Sequence, residues 1–472
     1  MEVLLSVIPV VYGAVFQDPI EILRSAPVEE NFTYSTITSI VSFICLAWYF
    51  VVVSLAIMGT SILAKHYRST GSVKTLPETR SPGVTILRPL KGIDTAAESC
   101  LSSAFEQEYS NFEILFCCES EGDAIVPLVR RLIAKYPNVR AELLIGNDYY
   151  GPNPKINNLA KGFVHAQHDI IWVLDSNVWV SPGTLARSIH EFLKNSRIKL
   201  VHHLPMCVSV VSKWDSNWGA KLDEMFMLTA HAKFYSAINA VAIAPCVMGK
   251  SNMYRRSDLD NAVQAQEPGH GIRVFAQYIA EDNMIADALW KLGGRTAMTT
   301  DSAIQPLANV GYNGYLDRRV RWLRVRRYMV LAATMLEPTT ESIICGLLGS
   351  FGFSIWVFSN GQIFSWWFFL LHMTCWCLID YWQFNSLLEF KHVEHTDETP
   401  FFVTPLYSPD SSPADNSRRS RRPFFSSWLP VWAARELLAF PIWVKAMCGH
   451  SIQWRNRPFR IKRDLTAEEI RN

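Results

Sequence analysis

Apolar and polar positions divide the chain into an apolar start, an alternating middle and an apolar, aromatic end. Ile37 to Met58 holds no charged residue, and a helix of that kind can cross a bilayer, which takes about 20 apolar residues. The earlier stretch Val3 to Phe16 is shorter and lacks the positive flank of a secretory signal, so it reads as an interfacial segment. From Val84 to Thr300 short apolar runs alternate with amphipathic ones. Val84–Leu87, Phe112–Cys118, Ala141–Ile145, Ile170–Leu174 and Leu200–Leu204 predict buried strands. Between them, Val126, Val129, Leu132 and Ile133 predict a helix over Asp123–Lys135. Ser181-Pro182 predicts another, with a capping serine and a first-turn proline ahead of Leu185, Ile189 and Phe192. The alternation predicts an α/β domain, a mainly parallel sheet flanked by helices.

The last third changes character. Leu316 to Arg327 interleaves six arginines with Val320, Trp322, Leu323 and Val325, a pattern suited to a membrane surface and to anionic groups. Ile343–Phe358 and Ile363–Leu378 come next as a predicted transmembrane hairpin, with Asp380 just after it. Phe424 to Met447 is apolar but broken by Pro430, Arg435-Glu436 and Pro441, which predicts a re-entrant or third C-terminal membrane segment.

Charge sets the orientation. Lys65, His66, Arg68, Lys74 and Arg80 come after the first apolar helix, whereas Asp18, Glu21, Glu29 and Glu30 precede it against Arg24. The positive-inside rule therefore places the residues beyond that helix in the cytosol and makes Asn31-Phe32-Thr33 a lumenal sequon. The expected organisation is a lumenal segment (1–36), a transmembrane helix (37–58), a cytosolic catalytic domain (59–315) and a basic interface helix (316–340). A transmembrane hairpin (341–383), a cytosolic loop with a Ser/Pro/Arg-rich insertion (384–423), the third membrane segment (424–448) and a basic cytosolic tail (449–472) complete it. A net charge of +2 offers no global field for nucleic acid. Ten cysteines without zinc spacing fit a reduced environment, and 16 tryptophans, crowded late in the chain, suit a membrane interface.

The chemistry gathers at element ends. The run Ile170–Leu174 ends in Asp175-Ser-Asn177, hard oxygen ligands suited to Mg2+ or Mn2+ carrying a diphosphate, or else a turn that merely ends the strand. Val84 to Asp94 reads as a first strand ending in a loop with Pro89 and Gly92, where Lys91 meets a nucleotide or phosphate. Gly151-Pro-Asn-Pro-Lys-Ile-Asn-Asn158 opens a helix whose amides, with Lys155 and Asn157, suit a diphosphate. Glu281 and Asp282 stand in the first turn of another helix, placed for catalysis or for the helix dipole.

Together LRPLKGID at 87–94, NPKINNL at 153–159, LDSN at 174–177, AQYIAEDNM at 276–284 and RRVRW at 318–322 resemble the membrane-bound ceramide glucosyltransferases, from the first span to Thr466–Ile470. The resemblance implies a GT-A nucleotide-sugar fold, UDP-glucose as donor, ceramide as acceptor and glucosylceramide formed with inversion. It implies a multi-pass protein of the Golgi or endoplasmic reticulum with its catalytic domain facing the cytosol. Asp175 and Asp282 match the family's second and third acids, Arg318, Arg321 and Trp322 its (Q/R)xxRW motif, and His231 a family histidine. The first acid departs: Glu119, Glu121 or Asp123 could stand there, Glu119 being favoured. Asn177 replaces the second acid of an Asp-x-Asp, leaving any metal to Asp175. Asp282 is the expected base, with Glu281 and His231 beside the reaction and the arginines steadying the departing UDP. The competing expectations are a polysaccharide or dolichyl-phosphate sugar synthase, or a lipid-binding protein without catalysis.

Overall fold

The computed structural model describes residues 28–71, 81–210, 218–358, 362–403, 423–454, 457–462 and 464–470. Val3–Phe16, the side chains of the Asn31 sequon and the arginines between 418 and 422 lie outside the described residues. Helix α1 (Val28–His66) comes first. Then β1 (Val84–Leu90), α2 (Ala97–Phe105), β2 (Phe112–Cys118), α3 (Val126–Lys135), β3 (Ala141–Ile145), α4 (Pro154–His165), β4 (Ile170–Leu174), α5 (Thr184–Lys194) and β5 (Ile198–Ser209) alternate as expected. Helix α6 (Trp218–Phe226) runs through a π-helical turn, Met227–His231, into α7 (Ala232–Val241). Strand β6 (Ser251–Arg255), α8 (Arg256–Val263), α9 (Glu281–Lys291) and β7 (Arg295–Leu307) come after it. The chain continues as α10 (Tyr312–Met329), α11 (Leu331–Leu336), α12 (Ser342–Phe353), α13 (Trp366–Leu388) and α14 (Phe425–Met447), then β8 (Ser451–Trp454), β9 (Arg457–Ile461) and β10 (Ala467–Glu469).

The large sheet has the order β3-β2-β1-β4-β6-β5-β7. It is parallel except at β6, which runs antiparallel to both β4 and β5. Strands β6 and β7 are absent from the sequence expectation because Ser251, Asn252, Thr299, Asp301 and Ser302 interrupt their apolar pattern. The predicted runs are mostly apolar because both faces of the central strands are covered. Val84, Ile86, Trp172 and Leu174 pack with Leu101, Val129, Leu185 and Phe192 on one side. Leu87, Ile171 and Val173 pack with Ile156, Leu159, Ile285 and Leu289 on the other.

Two expectations need correction. Helix α5 starts at Thr184, and Ser181 does not cap it; Gly183 N donates to Glu394 at 2.5 Å and Leu185 N to Gln107 at 3.0 Å, so carboxylate and amide oxygens from elsewhere serve its free N–H groups. Pro89 lies within β1 opposite Cys117 and not in the loop beyond, tolerated because the ladder with β4 has already ended at Leu87. The basic tail folds: β8, β9 and β10 form an antiparallel sheet whose Ile452, Phe459 and Ile461 pack on Ile279, Val325 and Tyr328.

The chain divides into two compact units, residues 1–54 with 337–378, and residues 55–336 with 379–472. In the first, glycines let helices approach closely: a Cβ at Gly349 would come 2.5 Å from the Tyr49 ring. Trp48 Nε1 donates to Thr339 Oγ1 at 2.7 Å, and Tyr49 Oη meets His372 Nδ1 at 3.2 Å. Among the described residues one helix, Ser35–His66, is long and apolar enough to cross a membrane; Leu331–Thr340 with Ser342–Val357 passes only if its two legs, bent by 78°, make one span. The second unit holds the large sheet, the basic helix α10 and α14, which packs along α10 and α6. The expected hairpin's second leg runs on to Leu388, so Asp380 falls inside α13, fully buried.

Candidate active site

Asp175 emerges at the carboxyl end of β4 with both oxygens engaged. Lys155 Nζ lies 2.9 Å from Oδ1 and Lys250 Nζ 3.1 Å from Oδ2. Burial alone would raise this carboxyl, but the two ammonium groups outweigh it and hold it down at about 2. Lys155 also reaches Glu281 Oε1 at 3.2 Å and donates to Gly249 O at 2.8 Å. One ammonium thus joins the acid at the end of β4 to the acid that opens α9. Glu281 is held from the other side by Asn153 Nδ2 at 3.0 Å. Asp282 stands beside it, its carboxyl pushed up to about 6 by burial and then by the Glu281 charge, against the pull of Lys155. The close approach is possible because residue 249 is glycine: a Cβ there would come 3.2 Å from both Asp282 Oδ2 and Lys155 Nζ.

The Gly151–Asn158 turn departs from its expected role. Asn153 caps α4 and accepts from Lys155 N at 2.9 Å and Ile156 N at 3.2 Å, so those amides are taken. Asn157 shapes the turn, with Oδ1 accepting from Tyr150 N at 2.9 Å and Nδ2 donating to Gly151 O at 2.8 Å. Lys155 keeps its place in the site.

The three candidates for the first acid are separated by their partners. Asp123 accepts from Gly92 N and Ile125 N, which shapes the loop after β1. Glu121 pairs with Arg130 on α3. Glu119 meets Lys91 at 3.0 Å across the ends of β2 and β1, both side chains being about 40% exposed. Glu119→Gln is expected to weaken binding of the nucleotide that the resemblance implies about tenfold, the scale of one charged hydrogen bond, without moving the melting temperature, because exposed pairs contribute little. Asp123→Ala is expected to lower the melting temperature instead. Calorimetric titration beside thermal denaturation separates the two.

The arginine motif lies on α10. Arg318 Nη1 is 3.1 Å from Asp223 Oδ2 on α6. Asp223 is fully buried, and burial pushes its carboxyl up to about 6 against the charges of Arg318, Arg319, Lys250 and Arg321. Arg319 lies over the Phe226 ring at 3.4 Å. Trp322 packs beside the same ring, at 6.4 Å, in a cluster with Cys207 and Leu307. His231 ends the π-helical turn, a feature frequent at functional sites. Its ring stacks on Tyr235 at 5.1 Å, and its Nδ1 is buried without a hydrogen-bond partner. Burial, then Arg319 and Arg326, lower it to about 3, so it serves as a neutral imidazole and not as a cation for a diphosphate.

Lys250, Asp223 and Asn153 are the members that sequence reasoning missed. Asp223 carries a signal, an acid on a helix face shared with Leu222, Met225 and Phe226, all buried. Lys250 carries almost none, because it precedes a short, half-polar strand. The donor set at Asp175 does not fit a hard divalent cation: both carboxylate oxygens face ammonium groups, and residue 177 supplies an amide oxygen bound by Lys250 at 3.2 Å. Among the described residues no three His, Cys, Asp or Glu side chains group to hold a metal.

Residues 46–467 match the glycosyl transferase family 21 profile. The chain is 44% identical to a ceramide glucosyltransferase of Komagataella phaffii, over 94% of each chain. It is 39% identical to a ceramide glucosyltransferase of Candida albicans, over 94% of this chain and all of that one. A solved mannosyltransferase of Pyrobaculum calidifontis, in complex with GDP-Man and Mn2+, is 16% identical and covers 85% of this chain and 99% of its own, with a TM-score of 0.40.

Proposed function

We infer the reaction from one premise: this chain belongs to glycosyl transferase family 21. It is a ceramide glucosyltransferase, moving glucose from UDP-glucose to the primary hydroxyl of ceramide with inversion and releasing UDP. The observation that carries the reading is the bridge made by Lys155 between Asp175 and Glu281, at 2.9 and 3.2 Å, with Asp282 in the next position. It joins the acid proposed for the nucleotide side to the acids proposed for the acceptor side in one ion-pair network.

Inverting transfer requires a base on the sugar face opposite the leaving group. Asp282 fills that role: a carboxyl near 6 is mostly ionised at neutral pH and remains basic enough to take the hydroxyl proton. Lys155, Lys250, Arg318 and Arg321 face the charge that grows on the departing diphosphate. Asp223 orients Arg318, and Glu119 with Lys91 borders the nucleoside end. His231 stays neutral and hydrogen-bonds the acceptor. An Mg2+ or Mn2+ ion bound to Asp175 is the expectation from sequence, but the donor set there does not suit one, and the ammonium and guanidinium groups meet the diphosphate charge instead.

Ceramide stays in the bilayer because each CH2 withdrawn from it costs about 0.8 kcal/mol. The acceptor is met at the membrane surface, with the catalytic domain on the cytosolic side of the Golgi or endoplasmic reticulum. The apolar helix Ser35–His66 and the basic Lys65, His66 and Arg68 at its end support this orientation.

The test is UDP release by the purified full chain in detergent. UDP is expected only when UDP-glucose and ceramide are both present, with UDP-galactose a poorer donor. Release with dolichyl phosphate in place of ceramide, or none with any lipid, would overturn the reading.

A further inference from the structure

We propose that Lys250 is a built-in replacement for the divalent cation at the donor diphosphate, so that this chain binds its nucleotide sugar without metal. The inference rests on the UDP-glucose reading and concerns how that donor is held.

In an Asp-x-Asp turn the first and third side chains clamp a cation between them. Here those positions are Asp175 and Asn177, and the Lys250 ammonium lies between them, 3.1 Å from Asp175 Oδ2 and 3.2 Å from Asn177 Oδ1. One acid and one ammonium balance in this turn. An Asp-x-Asp carries two negative charges and suits a dication; an Asp-x-Asn carries one and suits a monocation.

The backbone fixes this placement. Asp175 N donates to Lys250 O at 3.1 Å, and the pairing continues antiparallel from Leu174 opposite Ser251. Lys250 is therefore tied to the end of β4 by the sheet itself, and its side chain has only to fold over the turn it already touches. Lys155 takes the other oxygen of Asp175 at 2.9 Å and is shared with Glu281 at 3.2 Å. Lys250 also acts on Asp223, the partner of Arg318. A divalent ion at Asp175 would have to displace both ammonium groups.

The experiment is titration of the purified full chain, in detergent, with UDP in excess chelator and again in excess Mn2+. Wild type is expected to bind equally in both. Lys250→Met is expected to lose about tenfold in affinity in chelator, the scale of one charged hydrogen bond, and Lys250→Arg to retain most of it. Wild-type binding that needs Mn2+ would overturn the proposal and leave the donor reading intact. Unchanged binding by folded Lys250→Met would do the same. Binding in neither condition would overturn both. The wild-type comparison decides the matter even if the methionine variant does not fold.

Discussion

Asp282→Asn is expected to lower turnover by about 10²- to 10⁴-fold, the range associated with a lost general base, while UDP-glucose binds almost as before. The asymmetry comes from position. The donor half of the crevice is held by the ion pairs of Asp175 with Lys155 and Lys250, which the substitution leaves in place. The same residue sets the pH response. Its carboxyl stands at about 6 because burial and the neighbouring Glu281 disfavour the charged form. Only the ionised form accepts a proton, so turnover should fall as pH drops through about 6 and level off above it. Substituting Glu281 by Gln removes the repulsion and should move that limb to lower pH. Single-turnover rates across pH, beside calorimetric UDP-glucose binding, measure both; a variant with near wild-type turnover would remove Asp282 as the base.

The second large effect concerns folding. Lys233 Nζ on α7 lies 2.7 Å from Asp380 Oδ1 on α13, and Trp432 Nε1 on α14 donates to Oδ2 at 3.0 Å, with both charged side chains at most 1% exposed. Asp380→Leu takes the carboxylate away from a buried ammonium and is expected to cost about 3–5 kcal/mol. Nearby, Gln383 Nε2 donates to the carbonyls of Leu228 and Thr229, in the π-helical turn that ends at His231. The lesion should therefore reach the site as well. Thermal denaturation in detergent gives the size of the loss. Pairing Asp380→Leu with Lys233→Met is expected to restore most of it, because the penalty lies in the uncompensated charge; a double variant as unstable as the single one would refute that account.

Much of the sheet was legible because its strands are buried on both faces. β4 reads as an unbroken apolar run, β1 and β2 as apolar runs interrupted by Thr85 and Arg88 and by Glu113, and Leu185, Ile189 and Phe192 mark the buried face of α5 as the periodicity required. β6 and β7 were not legible, since their polar residues spend their hydrogen bonds inside the domain: Ser251 Oγ accepts from Trp172 Nε1 at 2.9 Å, and Asp301 is bound by Arg187. In the loop after α13, Phe402 and Val403 are buried and Glu394 caps α5, contacts between distant residues that composition does not contain.

By itself the sequence determined the strand that ends in Asp175, the helix that opens on Glu281 and Asp282, and the basic helix with its arginines, because each is a local pattern of polarity and spacing. Only the tertiary structure decided which ammonium each acid meets, which partners Glu119, Glu121 and Asp123 take, and that Asp223 holds Arg318. Those outcomes depend on pairings between residues remote in the chain, such as Lys250 with Asp175 across 75 positions, and electrostatic partners are chosen by distance in space and by burial, neither of which a local pattern contains.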